Sequence, residues 1–515
     1  MKLDRSVLAW IGVALVGVIV VVLVLGLSLF PRLNAAQGVL DDGRPAFTAQ
    51  RVAGDRAAID MVASALTLTD QIASDRGGAS AEVPKLIAFV SQKTGLSQAD
   101  VVKTLQGSFP HTTALLQAIP LSSVANETPT LIAFLATTLK MTPAQVTAAL
   151  QSNFPHIYQS VTNLPTVTNG WYNVPGTQNL TRFDDSAVRS VPQTAAYLSG
   201  DVVPTLERQQ ANFQSLDSKG GVGFLDVLLL VIGIIVIVFG AAMAYLASRG
   251  GLPRGLATGA WGVVIVVGVA VVGLVLALAL FPRLSAGQNL VDGARPAFTK
   301  DRVAGDRAAI AMISNVVQLV DPIATGRGGA AAEVPQLVGF VSQKTGLKPA
   351  DVLAALNKNV PHTTALLQAI PLSSVSSELP GLTSFLAKTL KVTPAQLNQA
   401  LSSNFPHLYQ SIQLLPVVTN GWNNVPGTES LTRFDGKTPV RTVPAIRDYF
   451  SQDVIPVLER QQANFVVVDT TWPRLTVFAP LLLVVGLVVI LYGVAMLLLV
   501  RREEPVPAGA PARAT

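Results

Sequence analysis

Phe30-Pro31-Arg32-Leu33 opens a stretch that begins again 251 residues later as Phe281-Pro282-Arg283-Leu284 and is then followed almost to the C-terminus. Two copies of one unit therefore account for nearly the whole chain, and any site must occur twice or explain its absence from one copy. Long apolar runs bracket each copy. Residues 7–29, 227–247, 255–280 and 475–500 are uncharged and long enough to cross a bilayer as helices.

Composition agrees with that reading: half of the 515 residues are apolar and 13% are charged. The first run resembles a secretory leader, with Lys2 and Arg5 before it and Ala35 and Ala36 after it. Its apolar length and its mid-chain counterpart at 255–280 favour a membrane anchor. Lys2, Arg5, Arg249, Arg254, Arg501 and Arg502 cluster at one set of span ends, which the positive-inside rule places in the cytoplasm.

The expected fold is an all-α membrane protein with four transmembrane helices and two homologous extracytoplasmic helical domains. Residues 1–30 hold the N-terminus and first span, 31–223 the first outer domain, and 224–248 the second span. A cytoplasmic hairpin follows at 249–254, then the third span at 255–281, the second outer domain at 282–474, the fourth span at 475–500 and a disordered tail at 501–515. The two halves should form an intramolecular pseudo-dimer related by a two-fold along the membrane normal.

A shorter period lies inside each outer segment. Val83-Pro84 to Pro120 matches Thr128-Pro129 to Pro165 at 45 residues, and Pro335, His362 and Pro371 match Pro380, His407 and Pro416. Each module reads as three short helices, with Leu131, Leu135 and Leu139 on one face of the first. Thr142-Pro143-Ala144-Gln145, Thr393-Pro394-Ala395-Gln396, and Ser97 with Asp100 carry helix-start chemistry. The second helix stops at Phe109-Pro110-His111, Phe154-Pro155-His156, Val360-Pro361-His362 and Phe405-Pro406-His407, and the third should end at Pro120, Pro165, Pro371 or Pro416.

Flanking helices are expected from Arg51 and Arg302, and from Asp201 and Asp453. Between modules and exit helix runs a turn-rich loop, Thr168-Asn169-Gly170-Trp171 to Leu180-Thr181-Arg182-Phe183-Asp184. It recurs as Thr419-Asn420-Gly421-Trp422 to Leu431-Thr432-Arg433-Phe434-Asp435. A short strand pair fits there.

Candidate chemistry is sparse. All four histidines, His111, His156, His362 and His407, follow the helix-breaking proline, which invites a metal site or a proton switch. No module holds a second His, and the chain has no Cys to complete a coordination shell, so no metal or other cofactor is expected and a local structural role is preferred. Trp171 and Trp422, with Asn169 and Asn420 beside them, could grip a ligand or partner, or could plug the open end of each module pair. Arg51 and Arg302 could hold a lipid headgroup or partner carboxylate, but Asp55 and Asp306 stand one turn on and suffice for i to i+4 pairs. Asp226 heads the second span where the fourth has Phe478, and its depth decides whether it acts. Gly255 with Gly259, or Gly240 with Ala244, have the spacing for close helix contact.

Function is bounded more by exclusion. The outer segments carry 13 Lys/Arg against 14 Asp/Glu and 17 against 13, so neither forms a nucleic-acid surface despite the pI of 9.5. Phosphate-loop, H-E-x-x-H, G-x-S-x-G and Rossmann patterns are missing from the sequence, so an enzyme is not expected. Spans without ionisable residues at mid-depth disfavour transport. The leading expectation is a non-enzymatic envelope protein that presents its tandem ectodomains as a scaffold or accessory subunit of a larger membrane complex, with membrane lipids and other envelope proteins as partners. A binding module for a lipid or hydrophobic small molecule is the alternative, and a sensor acting through a separate partner comes third.

Overall fold

The computed structural model describes residues 5–26, 28–73, 78–218, 223–249, 252–324, 329–469 and 474–502. Lys2 and most of the expected tail, 503–515, lie outside these. The described residues are mostly helical and contain no strand; the exit loops make only single bridges, Thr181 to Ala187 and Thr432 to Pro439.

Five helices are long and apolar enough to span a membrane: Ser6–Gly26, Leu225–Ser248, Arg254–Ala277, Lys300–Ala324 and Leu475–Arg502. The fourth of these was not among the expected spans. Its mean hydropathy is 1.2 where the others reach 2.7 to 3.1, and Val303, Ile310, Ile313, Val316 and Val317 are covered by protein. Its buried face is apolar apart from Arg302 and Asp306, as in a core helix, and its other face carries Asp301 and Arg307.

The chain divides into two compact units, each drawing on both halves of the sequence. One comprises residues 1–48, 205–298 and 459–515. Within it the helix Arg5–Gly26 packs along Leu225–Ser248, and Arg254–Ala277 along Phe478–Arg502. Glycine permits the approach: a methyl on Gly17 would meet the Gly233 carbonyl at 2.8 Å, and one on Gly240 would meet the Ala14 nitrogen at 2.5 Å. Gly255 and Gly259 have open space around them instead, so the small-residue contact runs through Gly240 and not through that pair. Trp10 and Trp261 stack at 3.9 Å across the two helix pairs, flanked edge-on by Phe239 and Tyr492.

The repeated Phe-Pro-Arg-Leu acquires a physical meaning in the same unit. After left-handed residues at Ser28 (φ 52°) and Ala279 (φ 49°), the helices Leu29–Gly43 and Leu280–Ala294 start in a new direction. Arg32 then donates to the Val468 carbonyl at 3.4 Å and Arg283 to the Leu216 carbonyl at 2.9 Å, each at the C-terminal end of an exit helix from the other half. A cation at a helix C-terminus is favoured by the orphan carbonyls and the dipole. Leu33 and Leu284 are buried beside them.

The second unit comprises residues 49–204 and 299–458. Entry helices Ala49–Ala73 and Lys300–Ala324 lead into the modules, whose helices are Ala79–Thr94, Gln98–Ser108 and Pro110–Ala118, then Leu121–Leu139, Pro143–Asn153 and Pro155–Gly170, with the same series from Ala330–Thr345 to Pro406–Gly421. The capping boxes at Thr142 and Thr393 form as their sequences require, and Ser97 accepts from the Asp100 amide at 3.1 Å. The second helix of each module buries one i, i+4 pair: Val101 and Leu105, Val146 and Leu150, Val352 and Leu356, Leu397 and Leu401. Two endings differ from expectation. Pro165 and Pro416 lie inside their helices, and Asn169-Gly170 and Asn420-Gly421 are a last helical turn and not a loop. Gly170 and Gly421 are buried there, closely approached by Met312 and Met61 of the opposite half, so packing overrides the turn signal.

Candidate functional site

The four Pro-His junctions share one design. Each proline starts a helix, leaving the next amides without intrahelical acceptors. A glutamate from the other half of the chain supplies them. Glu378 accepts from the amides of His111 (3.2 Å) and Thr112 (2.8 Å), and Glu127 from those of His362 (3.1 Å) and Thr363 (2.8 Å). Glu333 accepts from His156 (3.1 Å) and Ile157 (2.9 Å), and Glu82 from His407 (3.3 Å) and Leu408 (2.8 Å).

Reciprocity is complete: the module donating Glu82 receives Glu378, and the module donating Glu127 receives Glu333. Burial pushes the Glu127 carboxyl up, but the Thr363 and His362 hydrogen bonds outweigh it and hold the group below its ordinary value. The imidazoles are secondary. His156 and His362 place Nδ1 at 2.6 and 2.8 Å from Glu333 and Glu127, whereas His111 turns Nδ1 to the Gln368 carbonyl at 2.9 Å. Among the described residues no three His, Asp or Glu side chains converge as metal ligands.

The residue before each proline completes the junction. Phe109, Phe154 and Phe405 pack edge-on against Phe385, Phe340 and Phe89 of the other half at 5.6 to 5.9 Å, and Val360 takes the fourth place. The helices Pro110–Ala118 and Pro361–Ala369, identical in sequence, pack on one another.

Arg51 and Arg302 reach further than an i to i+4 pair. Arg302 donates to the Thr181 carbonyl (3.0 Å), the Thr181 hydroxyl (2.9 Å) and the Arg182 carbonyl (2.8 Å), and its guanidinium lies over Phe183 at 5.0 Å. Arg51 does the same with Thr432 and Arg433 at 3.4 and 3.3 Å and with Phe434 at 5.0 Å. Every residue of Leu180-Thr181-Arg182-Phe183 is thereby used. Leu180 packs on Gly305, Arg182 binds Asp201 at 2.7 Å, and Arg433 repeats this with Asp453 at 2.6 Å. One turn along, buried Asp306 and Asp55 face the buried hydroxyls of Tyr197 and Tyr449.

No family model, curated protein or solved structure matches this chain. The site is therefore read from its own geometry. Trp171 and Trp422 are 1% and 0% exposed, with indole Nε1 donating to Asp70 at 2.5 Å and Asp321 at 2.7 Å. Asn169 and Asn420 remain exposed beside them. Asp226 is buried in the first turn of its span, where one carboxylate oxygen accepts from the Val227 amide at 2.6 Å. Tyr197, Tyr449, Asp70, Asp321 and the four capping glutamates were missed in the sequence, although Glu82-Val83-Pro84, Glu127-Thr128-Pro129, Glu333-Val334-Pro335 and Glu378-Leu379-Pro380 stand at one fixed place in all four modules.

Proposed function

We propose that this chain is a non-enzymatic membrane scaffold or accessory subunit of a larger cell-envelope complex, a duplicated two-span unit fused into a pseudo-dimer. One observation carries the reading: His111, His156, His362, His407, Arg51 and Arg302 are all occupied in joining one half of the chain to the other. Residues conspicuous enough to suggest chemistry are spent on building one interlocked helical unit. A helical unit held together in this way suits presentation to partners better than turnover of a substrate.

Both termini and the Arg249 to Arg254 hairpin belong in this reading to the cytoplasm, with the helical unit on the outer face of the inner membrane. Lipids surround the spans, and other envelope proteins are the partners. The alternative, a carrier for a lipid or hydrophobic small molecule, finds less support. An apolar cavity in the helical unit, lined by Ile59, Val62, Ile313 and Phe450 among others, measures about 20 Å³, room for little more than one water.

The test is purification of the intact protein from native membranes in mild detergent, followed by mass spectrometry. Stoichiometric co-purification of another envelope protein is the expected result. A lone monomer at every detergent mildness would sink the subunit reading, and a stoichiometric lipid or metabolite held by the helical unit would favour the carrier.

A further inference from the structure

Asp55 and Asp306 differ from the other acids of the helical unit in having little to hold their charge. They are 6% and 8% exposed, and Oδ1 of each has no hydrogen-bond partner. The facing hydroxyls of Tyr449 and Tyr197 are likewise buried without a completed hydrogen bond. Leaving buried polar atoms so costs about 1–3 kcal/mol apiece, and the same cost recurs at both equivalent places.

Neighbouring charges are mostly engaged elsewhere. Arg51 and Arg302, on the same helices as the acids, donate to the carbonyls of the docked loops. In the loop and exit segments the charged groups are paired among themselves, Arg433 with Asp453, Arg182 with Asp201, and Arg447 with Asp448 just before Tyr449. Burial pushes both carboxyls up to about 7, with the tyrosine hydroxyl and the arginine pulling only part of the way back.

The backbone after each tyrosine is also irregular. Leu198–Val202 and Phe450–Val454 are single π-turns, placed directly after Tyr197 and Tyr449. Such turns interrupt the helical ladder and recur at functional sites.

We propose that the two acid–tyrosine pairs form a proton-operated latch between the halves of the helical unit. With Asp55 and Asp306 neutral, each exit loop and its tyrosine stay docked on the opposite entry helix. When the carboxyl loses its proton to water, the buried charge has to be hydrated, and the loop with its π-turn opens locally to admit solvent. The sign follows from the raised folded-state pKa. The docked form holds more protons than the open form between about 4 and 7, so docking weakens as pH rises through that window and the full penalty stands above it.

Hydrogen exchange of the intact chain in lipid nanodiscs at pH 5.5 and 8.5, corrected for intrinsic exchange rates, tests this. Peptides covering residues 177–191 and 428–443 should lose about tenfold in protection at the higher pH, while the module helix Gln98–Ser108 keeps its own. In the double variant Asp55→Asn with Asp306→Asn the loss should vanish. Equal protection at both pH values in the unmodified chain overturns the latch, as does a uniform loss across all helices or an undiminished loss in the folded double variant. The unmodified comparison decides by itself if that variant does not fold.

Discussion

A glutamate capping a helix from another part of the chain is a small contact with a large reach, because it satisfies two amides that proline-initiated helices leave exposed to burial. Truncating Glu333 to alanine strips the His156 and Ile157 amides of their acceptor and should cost about 1–2 kcal/mol, the range for losing an N-cap. Chemical denaturation in detergent reads that cost, and Glu333→Gln, which keeps one acceptor oxygen, should recover part of it. A loss as small as that of an exposed Lys103→Ala control would remove the capping account. Glu127 adds a pH signature of opposite sign to the latch. Its folded-state pKa lies below the ordinary 4.5, so its contribution is present above that value and is lost as pH falls through the depressed one. Acid titration of Glu127→Gln against the unmodified chain should therefore show the two stabilities converging at low pH. Ala279 offers a gain instead. Its left-handed φ of 49° costs an L-residue about 1–2 kcal/mol, so Ala279→Gly should raise stability by up to about 1 kcal/mol after the extra unfolded-state entropy of glycine is deducted.

At the scale of elements, helix contacts are decided by where the backbone can approach. Gly240→Ala would drive a methyl to 2.5 Å from the Ala14 nitrogen, a backbone atom that moves only with its helix, whereas Gly255→Ala meets nothing within 4 Å. The first should separate the Arg5–Gly26 and Leu225–Ser248 pair and lower thermal stability by several degrees, consistent with overpacking costs of about 1–3 kcal/mol. The second should be neutral or mildly stabilising through helix propensity. Equal effects in a melting assay would mean that these helices do not pack through Gly240. The elements were also where the sequence was most legible. Capping boxes at Thr142 and Thr393 and apolar runs around the spans act through neighbours a few residues away, so local text suffices to find them. Pro165 and Asn169-Gly170 misled for the complementary reason: their helix continues because Met312, far along the chain, packs against Gly170 and makes the last turn worth keeping. The π-turns after Tyr197 and Tyr449 leave no comparable local signature.

For the whole molecule, the exchange of contacts between halves is the feature that repeated text conceals. A Glu-x-Pro and a Pro-His present in every module read identically whether each glutamate caps its own copy or the opposite one, so sequence could reveal the parts without their pairing. The structure assigns all four glutamates across the chain, and adds Arg302 to Thr181 and Arg51 to Thr432 in the same crossed sense. Neither set of modules can then satisfy its helix starts alone. Residues 1–250 expressed by themselves would lack Glu333 and Glu378 and leave the His111 and His156 amides uncapped, unless a second copy of the same segment supplied Glu82 and Glu127 in their place. Co-expression of 1–250 with 251–515 as separate polypeptides should therefore yield a 1:1 complex that unfolds in one transition. Its stability should depend on protein concentration, because cutting the connection converts an intramolecular pairing into a bimolecular one and removes an effective concentration of about a millimolar. The first segment alone should appear as a dimer or fail to fold. Sedimentation in detergent separates these outcomes, and two folded, monomeric halves with unchanged melting would show that the crossed contacts do not hold the chain together.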